Sequence, residues 1–150
     1  NKIKFKKFFD SQEIIIGSTD FSHSGGRIVK YNKDNFLITV SDHALMDNYK
    51  KFIKKMNSKD SIIGKTIMIN ENEYKIFSYG HRNPQGLFYD NKKNLIFETE
   101  HGPTGGDEIN LIKEGNHYGW PLASYGARID GLNMIRKHKK EYLYRFVAVE

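Results

Sequence analysis

The sequence predicts an all-β fold built from repeated hairpins. Short runs rich in Ile, Val, Phe and Tyr recur along the 150 residues, each bounded by polar turns. Two of the hairpins read as a weak internal repeat. No apolar run approaches the roughly 20 residues that a membrane-spanning helix needs.

Taken in chain order, Glu13–Gly17, Arg27–Tyr31, Phe36–Val40, Lys65–Ile69, Tyr74–Tyr79, Gly86–Tyr89 and Leu95–Thr99 read as strands. Asn32-Lys33-Asp34-Asn35 and Asp90-Asn91-Lys92-Lys93-Asn94 read as hairpin turns, because Asn and Asp tolerate left-handed backbone angles. The repeat aligns the segment from Tyr31 to Ile38 with that from Asp90 to Phe97. Its offset of about 59 residues exceeds the roughly 40–50 of a propeller blade, and an insertion accounts for the excess. Asp47–Met56 predicts a helix, with Tyr49, Phe52, Ile53 and Met56 on one face and Lys50, Lys51, Lys54 and Lys55 elsewhere. At this length the expectation is an excursion packed on its own domain rather than a membrane- or partner-binding helix.

Hairpins that cannot each bury their own faces point to a β-propeller. The chain has room for roughly three blades of a ring. Residues 1–150 are therefore expected to form a partial β-propeller with a helical insertion near 47–56. An open half-ring would expose sheet edges, so the chain is expected to belong to a longer protein. It begins at Asn1 with no apolar leader, and no targeting signal is visible.

Composition narrows the chemistry. Hydrophobic residues make up 38% and charged residues 28%, the balance of a folded domain rather than a disordered one. The absence of cysteine excludes disulfides, thiolate metal sites and cysteine nucleophiles. A net charge of +6 raises the question of nucleic acid. The lysines are scattered at turns and strand ends (Lys30, Lys33, Lys92, Lys93) without a nucleic-acid motif, so the expectation is a solvated basic surface.

Four segments carry chemistry. His23-Ser24-Gly25-Gly26-Arg27 precedes a strand. An imidazole with an unperturbed pKa of about 6.5 suits proton abstraction, and the paired glycines let backbone approach a ligand or a neighbouring strand. Taken alone, the segment reads as a loop histidine beside a tight turn. Gly80-His81-Arg82-Asn83-Pro84-Gln85-Gly86 ends an aromatic strand in polar donors. Arg82 offers a planar fork for oxygen acceptors, Asn83 both donates and accepts, and Pro84 stiffens the loop. His81 and Gln85 are expected to support loop backbone. Glu100-His101-Gly102-Pro103-Thr104-Gly105-Gly106-Asp107-Glu108-Ile109-Asn110 is equally an acidic turn or a calcium loop, in which turned carbonyls join carboxylates around a hard cation. Gly115-Asn116-His117-Tyr118-Gly119-Trp120-Pro121 holds the single Trp, expected to pack beneath a blade with its N–H on a neighbouring carbonyl.

The ordered series GHRNPQG, EHGPTGGDEIN and GNHYGWP resembles the soluble pyrroloquinoline-quinone-dependent glucose and aldose sugar dehydrogenases, over roughly Phe21 to Tyr125. HSGGRI and Ser41-Asp42 fit the same family. The resemblance implies a six-bladed propeller, periplasmic or secreted, that oxidises an aldose at C1 by hydride transfer to the quinone. It implies His23 as the base and Arg82 as the stabiliser of charge on the quinone. Arg82, Asn83 and His101 would contact the cofactor. The carbonyls of Gly102 and Pro103 would ligate Ca2+, and Glu108 with the Tyr118 carbonyl would form part of a second, structural calcium site. The electron acceptor is left open.

The chain also departs from that pattern. The Lys and Arg with which relatives hold the quinone's carboxylates come from later blades and have no counterpart here. Lys137–Glu150 does not resemble the family. A non-catalytic ligand- or protein-binding propeller that retains the family's loops is the alternative.

Overall fold

In the computed structural model, the structure describes residues 2–10, 23–43, 49–126 and 145–147. The expected strand at 13–17 and the basic stretch at 136–140 lie outside them.

Two four-stranded antiparallel meanders make up the architecture. The first holds β1 (Gly25–Lys30), β2 (Phe36–Val40), β3 (Lys65–Ile69) and β4 (Tyr74–Tyr79), in that spatial order. The second holds β5 (Pro84–Asp90), β6 (Leu95–Glu100), β7 (Glu108–Ile112) and β8 (Arg145–Val147). A helix, α1 (Tyr49–Asn57), lies between β2 and β3. The all-β expectation is met, and the described residues hold two sheets rather than three. β7 and β8 were not foreseen from the sequence, and β8 falls within the stretch expected from the sequence to depart from the family.

The repeat corresponds to the first hairpin of each sheet. Asn32 Oδ1 accepts the backbone N–H groups of Asp34 and Asn35. Asp90 Oδ1 does the same for Lys92 and Lys93. Both loops are thus Asx turns, closed by a side-chain acceptor in place of a backbone one. The second loop also uses Asn94 at φ 54°.

Period-two alternation then sets the layers. Leu37 and Phe77 of the first sheet meet Ile96 and Ile112 of the second, with Tyr118 completing a buried cluster between them. On the other face of the first sheet, Val40, Ile67 and Ile69 form a second cluster with Ile62, against which Phe9 also packs. Each fully buried aliphatic side chain is worth about 1.5–3 kcal/mol. α1 lays Phe52 and Met56 on Ile63 and Trp120, so it is packed on the domain as expected. Its C-terminal carbonyls are satisfied from inside. Buried Lys65 donates from Nζ to the carbonyls of Met56 (2.9 Å), Lys55 (3.3 Å) and Ile63 (2.9 Å). Burial lowers the Lys65 pKa to about 8.

Antiparallel pairing brings the start of β1, the end of β2, the β4–β5 loop and the β6–β7 loop to one end of the two sheets. The segment following β7 joins them. Tyr118 N donates to Tyr79 O and Trp120 N to Gly80 O, laying Trp120 beside the end of β4.

Candidate active site

Four of the chemistry-bearing segments meet at this end. His23, just before β1, sits between Asp42 and Arg82. Its Nδ1 lies 3.0 Å from Asp42 Oδ1, and its Nε2 lies 3.1 Å from Arg82 Nη2. A guanidinium only donates, so Nε2 must be the acceptor and Nδ1–H the donor to Asp42. The geometry therefore sets the tautomer, with Nδ1–H towards Asp42 and the Nε2 lone pair towards the arginine. The His23 backbone is held as well, since its carbonyl accepts from Ser41 Oγ. Gly25 lets the lead-in lie this close. At φ +67°, a Cβ there would come within 2.9 Å of Ser41 N and 3.0 Å of Thr39 O. Of the two uses expected for the paired glycines, this one serves the approach of a neighbouring strand.

Arg82 gathers the rest. Nη1 donates to the carbonyls of His101 (3.0 Å) and Gly102 (2.7 Å). Its guanidinium carbon sits 5.5 Å from the Trp120 ring centre, a cation–π contact. The Arg82 backbone is fixed on both sides: its N–H donates to Glu100 Oε2 (2.7 Å), and its carbonyl accepts from Asp42 N (2.8 Å).

Asp42, read from the sequence only as a strand end, is thus a central member. Its second oxygen accepts the Trp120 indole N–H at 2.9 Å. The expected carbonyl partner for Trp120 is corrected to this carboxylate. An indole can only donate, and a buried carboxylate is the stronger acceptor.

The loop after β6 presents oxygen. Asp107 accepts from the Gly102 N–H (2.9 Å) and pairs with His101 Nδ1 (3.2 Å). Gly102 must be glycine, because a Cβ would lie 2.0 Å from the Gly105 carbonyl. Among the residues lining a small cavity are Glu100, Gly102, Pro103, Glu108 and Ser124, and its volume of about 10 Å³ suits one water-sized species. Backbone carbonyls beside carboxylates are the donor set of a hard cation. One oxygen is already engaged, since Gly102 O accepts from Arg82. Asn83 is buried beside Arg82; its carbonyl accepts from His101 N, and its Oδ1 lies 3.5 Å from Gln85 Nε2. Tyr118 is buried, and its hydroxyl donates to Leu111 O.

Beneath this rim lies a buried polar layer that the sequence did not announce. His81 is fully buried and stacks on Tyr118 at 4.9 Å between ring centres. Its Nδ1 is 2.6 Å from Glu98 Oε1 and 3.5 Å from Glu100 Oε1, and its Nε2 meets Ser78 Oγ at 2.8 Å. Burial opposes the imidazolium, but Glu98 and Glu100 more than offset it and raise the His81 pKa to about 10. Thr66 donates to Glu98 Oε2 at 2.5 Å, and Asn110 donates to Glu100 Oε1 at 2.7 Å. The expectation that His81 supports loop backbone is corrected: its partners are side chains on β4 and β6.

With this geometry in hand, comparison with known proteins is specific. Residues 3–146 match the family described as Glucose / Sorbosone dehydrogenase. The chain belongs to this family. It is 33% identical over 121 residues to the aldose sugar dehydrogenase YliI of Escherichia coli, covering 75% of this chain and 33% of that protein. It is 51% identical over 51 residues to quinoprotein glucose dehydrogenase B of Acinetobacter calcoaceticus, covering 33% of this chain and 10% of that one. The PQQ-bound aldose sugar dehydrogenase of Streptomyces coelicolor superimposes with a TM-score of 0.57 at 30% identity, over 75% of this chain and 34% of that one. The chain thus spans about a third or less of the length of the curated relatives it matches.

Proposed function

We propose that this chain forms one wall of the active site of a quinoprotein that oxidises an aldose sugar at C1. The carrying observation is the convergence at Arg82: His23 on one side, the carbonyls of His101 and Gly102 on the other, and Trp120 against its guanidinium. Family membership and the PQQ-bound relative support the same reading. The two meanders are then two blades of a six-bladed ring, and the remaining cofactor contacts come from sequence beyond this chain.

His23 Nε2 is the atom that takes the proton of the sugar's C1 hydroxyl. Asp42 holds the Nδ1–H and stabilises the imidazolium once it forms. Arg82, already held at the rim, would supply the positive charge that stabilises the cofactor oxygen when the cofactor is bound. Asn83 and His101 flank it as further cofactor contacts. The Gly102 and Pro103 carbonyls would hold calcium, with Glu108 and the Tyr118 carbonyl contributing to a second, structural ion. Gly102 O, which accepts from Arg82, would be one of the oxygens that hold the ion. When bound, pyrroloquinoline quinone supplies the acceptor for the hydride, and calcium supplies a Lewis acid that polarises it.

Relatives named as sugar dehydrogenases support an aldose substrate. No helix of the described residues is long and apolar enough to cross a membrane. The test is dye-linked aldose oxidation by the full-length protein supplied with quinone and calcium. Sugar-dependent dye reduction is expected, and a protein that binds no quinone at micromolar concentration sinks the proposal.

A further inference from the structure

His81, Glu98 and Glu100 lie close enough to be read as a metal site, with ligand atoms all within 4.8 Å. The spacing argues otherwise. Two ligands on one ion at about 2.1 Å stand roughly 3 Å or more apart. His81 Nδ1 and Glu98 Oε1 are separated by 2.6 Å, the distance of a charge-assisted hydrogen bond. The cluster is an ion-paired and hydrogen-bonded layer, and its position beneath Arg82 shows what it supports.

We propose that Glu100 is a positioning residue for Arg82, and that His81 and Asn110 exist to hold Glu100 in place. One carboxylate oxygen of Glu100 receives the Arg82 N–H at 2.7 Å; the other receives Asn110 Nδ2 at 2.7 Å and faces His81 Nδ1 at 3.5 Å. All four residues are buried. The Arg82 carbonyl is tied to Asp42 N at 2.8 Å, so the peptide units on both sides of Arg82 are fixed. A guanidinium at the end of a flexible stem reaches His23, the His101 carbonyl and the Gly102 carbonyl together only if its Cα is fixed. The clamp is anchored in both sheets. Ser78 reaches His81 from β4 and Thr66 reaches Glu98 from β3, while Glu98, Glu100 and Asn110 belong to β6 and β7. This layer replaces apolar packing at the site end of the sheet interface, and it makes the relation between the sheets part of Arg82's aim.

The inference rests on Arg82 acting at the reacting centre, and its test separates the two ideas. Trp120 is the only tryptophan of the chain and lies against the Arg82 guanidinium, so its emission reports Arg82 without any turnover. In the full-length protein, with any tryptophan outside this chain replaced by phenylalanine, Arg82→Gln changes that emission. Glu100→Gln should reproduce the change, because a carboxamide cannot accept from both Arg82 N and Asn110 Nδ2. The double variant should add nothing to Arg82→Gln alone. In the full-length protein with quinone and calcium, Glu100→Gln should lower kcat about 10-fold or more, with the sugar KM within about twofold. Glu100→Asp keeps the charge one methylene short; it should lie between the two, and it carries the comparison if Glu100→Gln fails to fold. Parent-like Trp120 emission in a folded Glu100 variant, or additive effects in the double variant, overturns the clamp. A parent protein that never oxidises an aldose overturns the dehydrogenase reading instead, and Trp120 still decides this one.

Discussion

Two histidines, one hydrogen-bonded to Arg82 and the other next to it in sequence, are treated in opposite ways. His23 stands at the rim between a carboxylate and an arginine; His81 lies beneath it between two carboxylates and a serine. Arg82 donates to His23 and so sets the tautomer whose Nε2 lone pair faces the guanidinium. Glu98 and Glu100 surround His81 with negative charge and hold it protonated. Ring chemistry is the same in both. The partners decide whether the imidazole is a base or a fixed cation. On the proposed reading, the first belongs to a site that moves a proton and the second to a layer that supports it.

Asp42→Asn breaks the rim most severely. Asp42 gives one oxygen to His23 and the other to Trp120. Asn has one oxygen and one NH2. The indole can only donate, so the oxygen turns to Trp120 and the NH2 turns to His23 Nδ1. The ring is then driven to the opposite tautomer, with Nε2–H pointing at Arg82. Turnover in the dye-linked assay should fall by roughly 10²–10⁴-fold. A loss below about threefold would remove Asp42 from the site.

Glu98→Ala breaks the buried layer instead. It leaves the His81 imidazolium without its 2.6 Å partner and Thr66 without its acceptor. Removing one member of a buried ion pair costs about 3–5 kcal/mol. The urea midpoint should drop accordingly, whereas Thr66→Val, which removes one hydrogen bond, should cost about 1 kcal/mol. Equal effects of the two would mean that His81 is not charged in the folded state.

The same contrast explains what was legible in the sequence. Strands whose buried side is apolar read directly: Phe36–Val40, Lys65–Ile69 and Tyr74–Tyr79 have the bounds expected from alternation. β7 was hidden because its pattern is inverted. Glu108 and Asn110 point inward to the polar layer, while Ile109 is 40% exposed on the outer face. The Glu-Ile-Asn run therefore passed as the tail of an acidic loop. The rim residues His23, Arg82 and His101 were legible because their loops form ordered motifs. Asp42, Glu98 and Glu100 were not, because their roles depend on partners brought in from other strands. Asp42 joins His23, 19 positions away, to Trp120, 78 positions away. Only the pairing of the strands reveals that.

Gly25→Ala tests the backbone that carries His23 to the rim. The new methyl group would meet Ser41 N and Thr39 O at about 3 Å, at a φ that L residues rarely adopt. A cost of about 1–3 kcal/mol is expected, with turnover falling alongside it as the lead-in shifts. A drop in stability with unchanged kcat would separate the glycine from the site.

The smallest expected effect is on pH, and it needs two groups of opposite sign. The raised His81 pKa contributes stability that is present below about 6.5 and lost as pH rises towards about 10. The lowered Lys65 pKa works the other way: between about 8 and 10.5 the unfolded chain binds the extra proton, so stability rises with pH. From pH 6.5 to 8 only His81 acts and stability should fall; above 8 the two oppose each other and the curve should flatten. Lys65→Met isolates the second arm. Its unfolding free energy should keep falling through pH 10, and the parent-minus-variant difference should grow in the parent's favour from pH 8 upward. The three carbonyls on Lys65 Nζ favour its charged form and limit the size of that growth. A difference that is flat between pH 8 and 10.5 would mean that Lys65 keeps an ordinary pKa despite its burial. The helix α1 would then be capped by a full positive charge up to about pH 10.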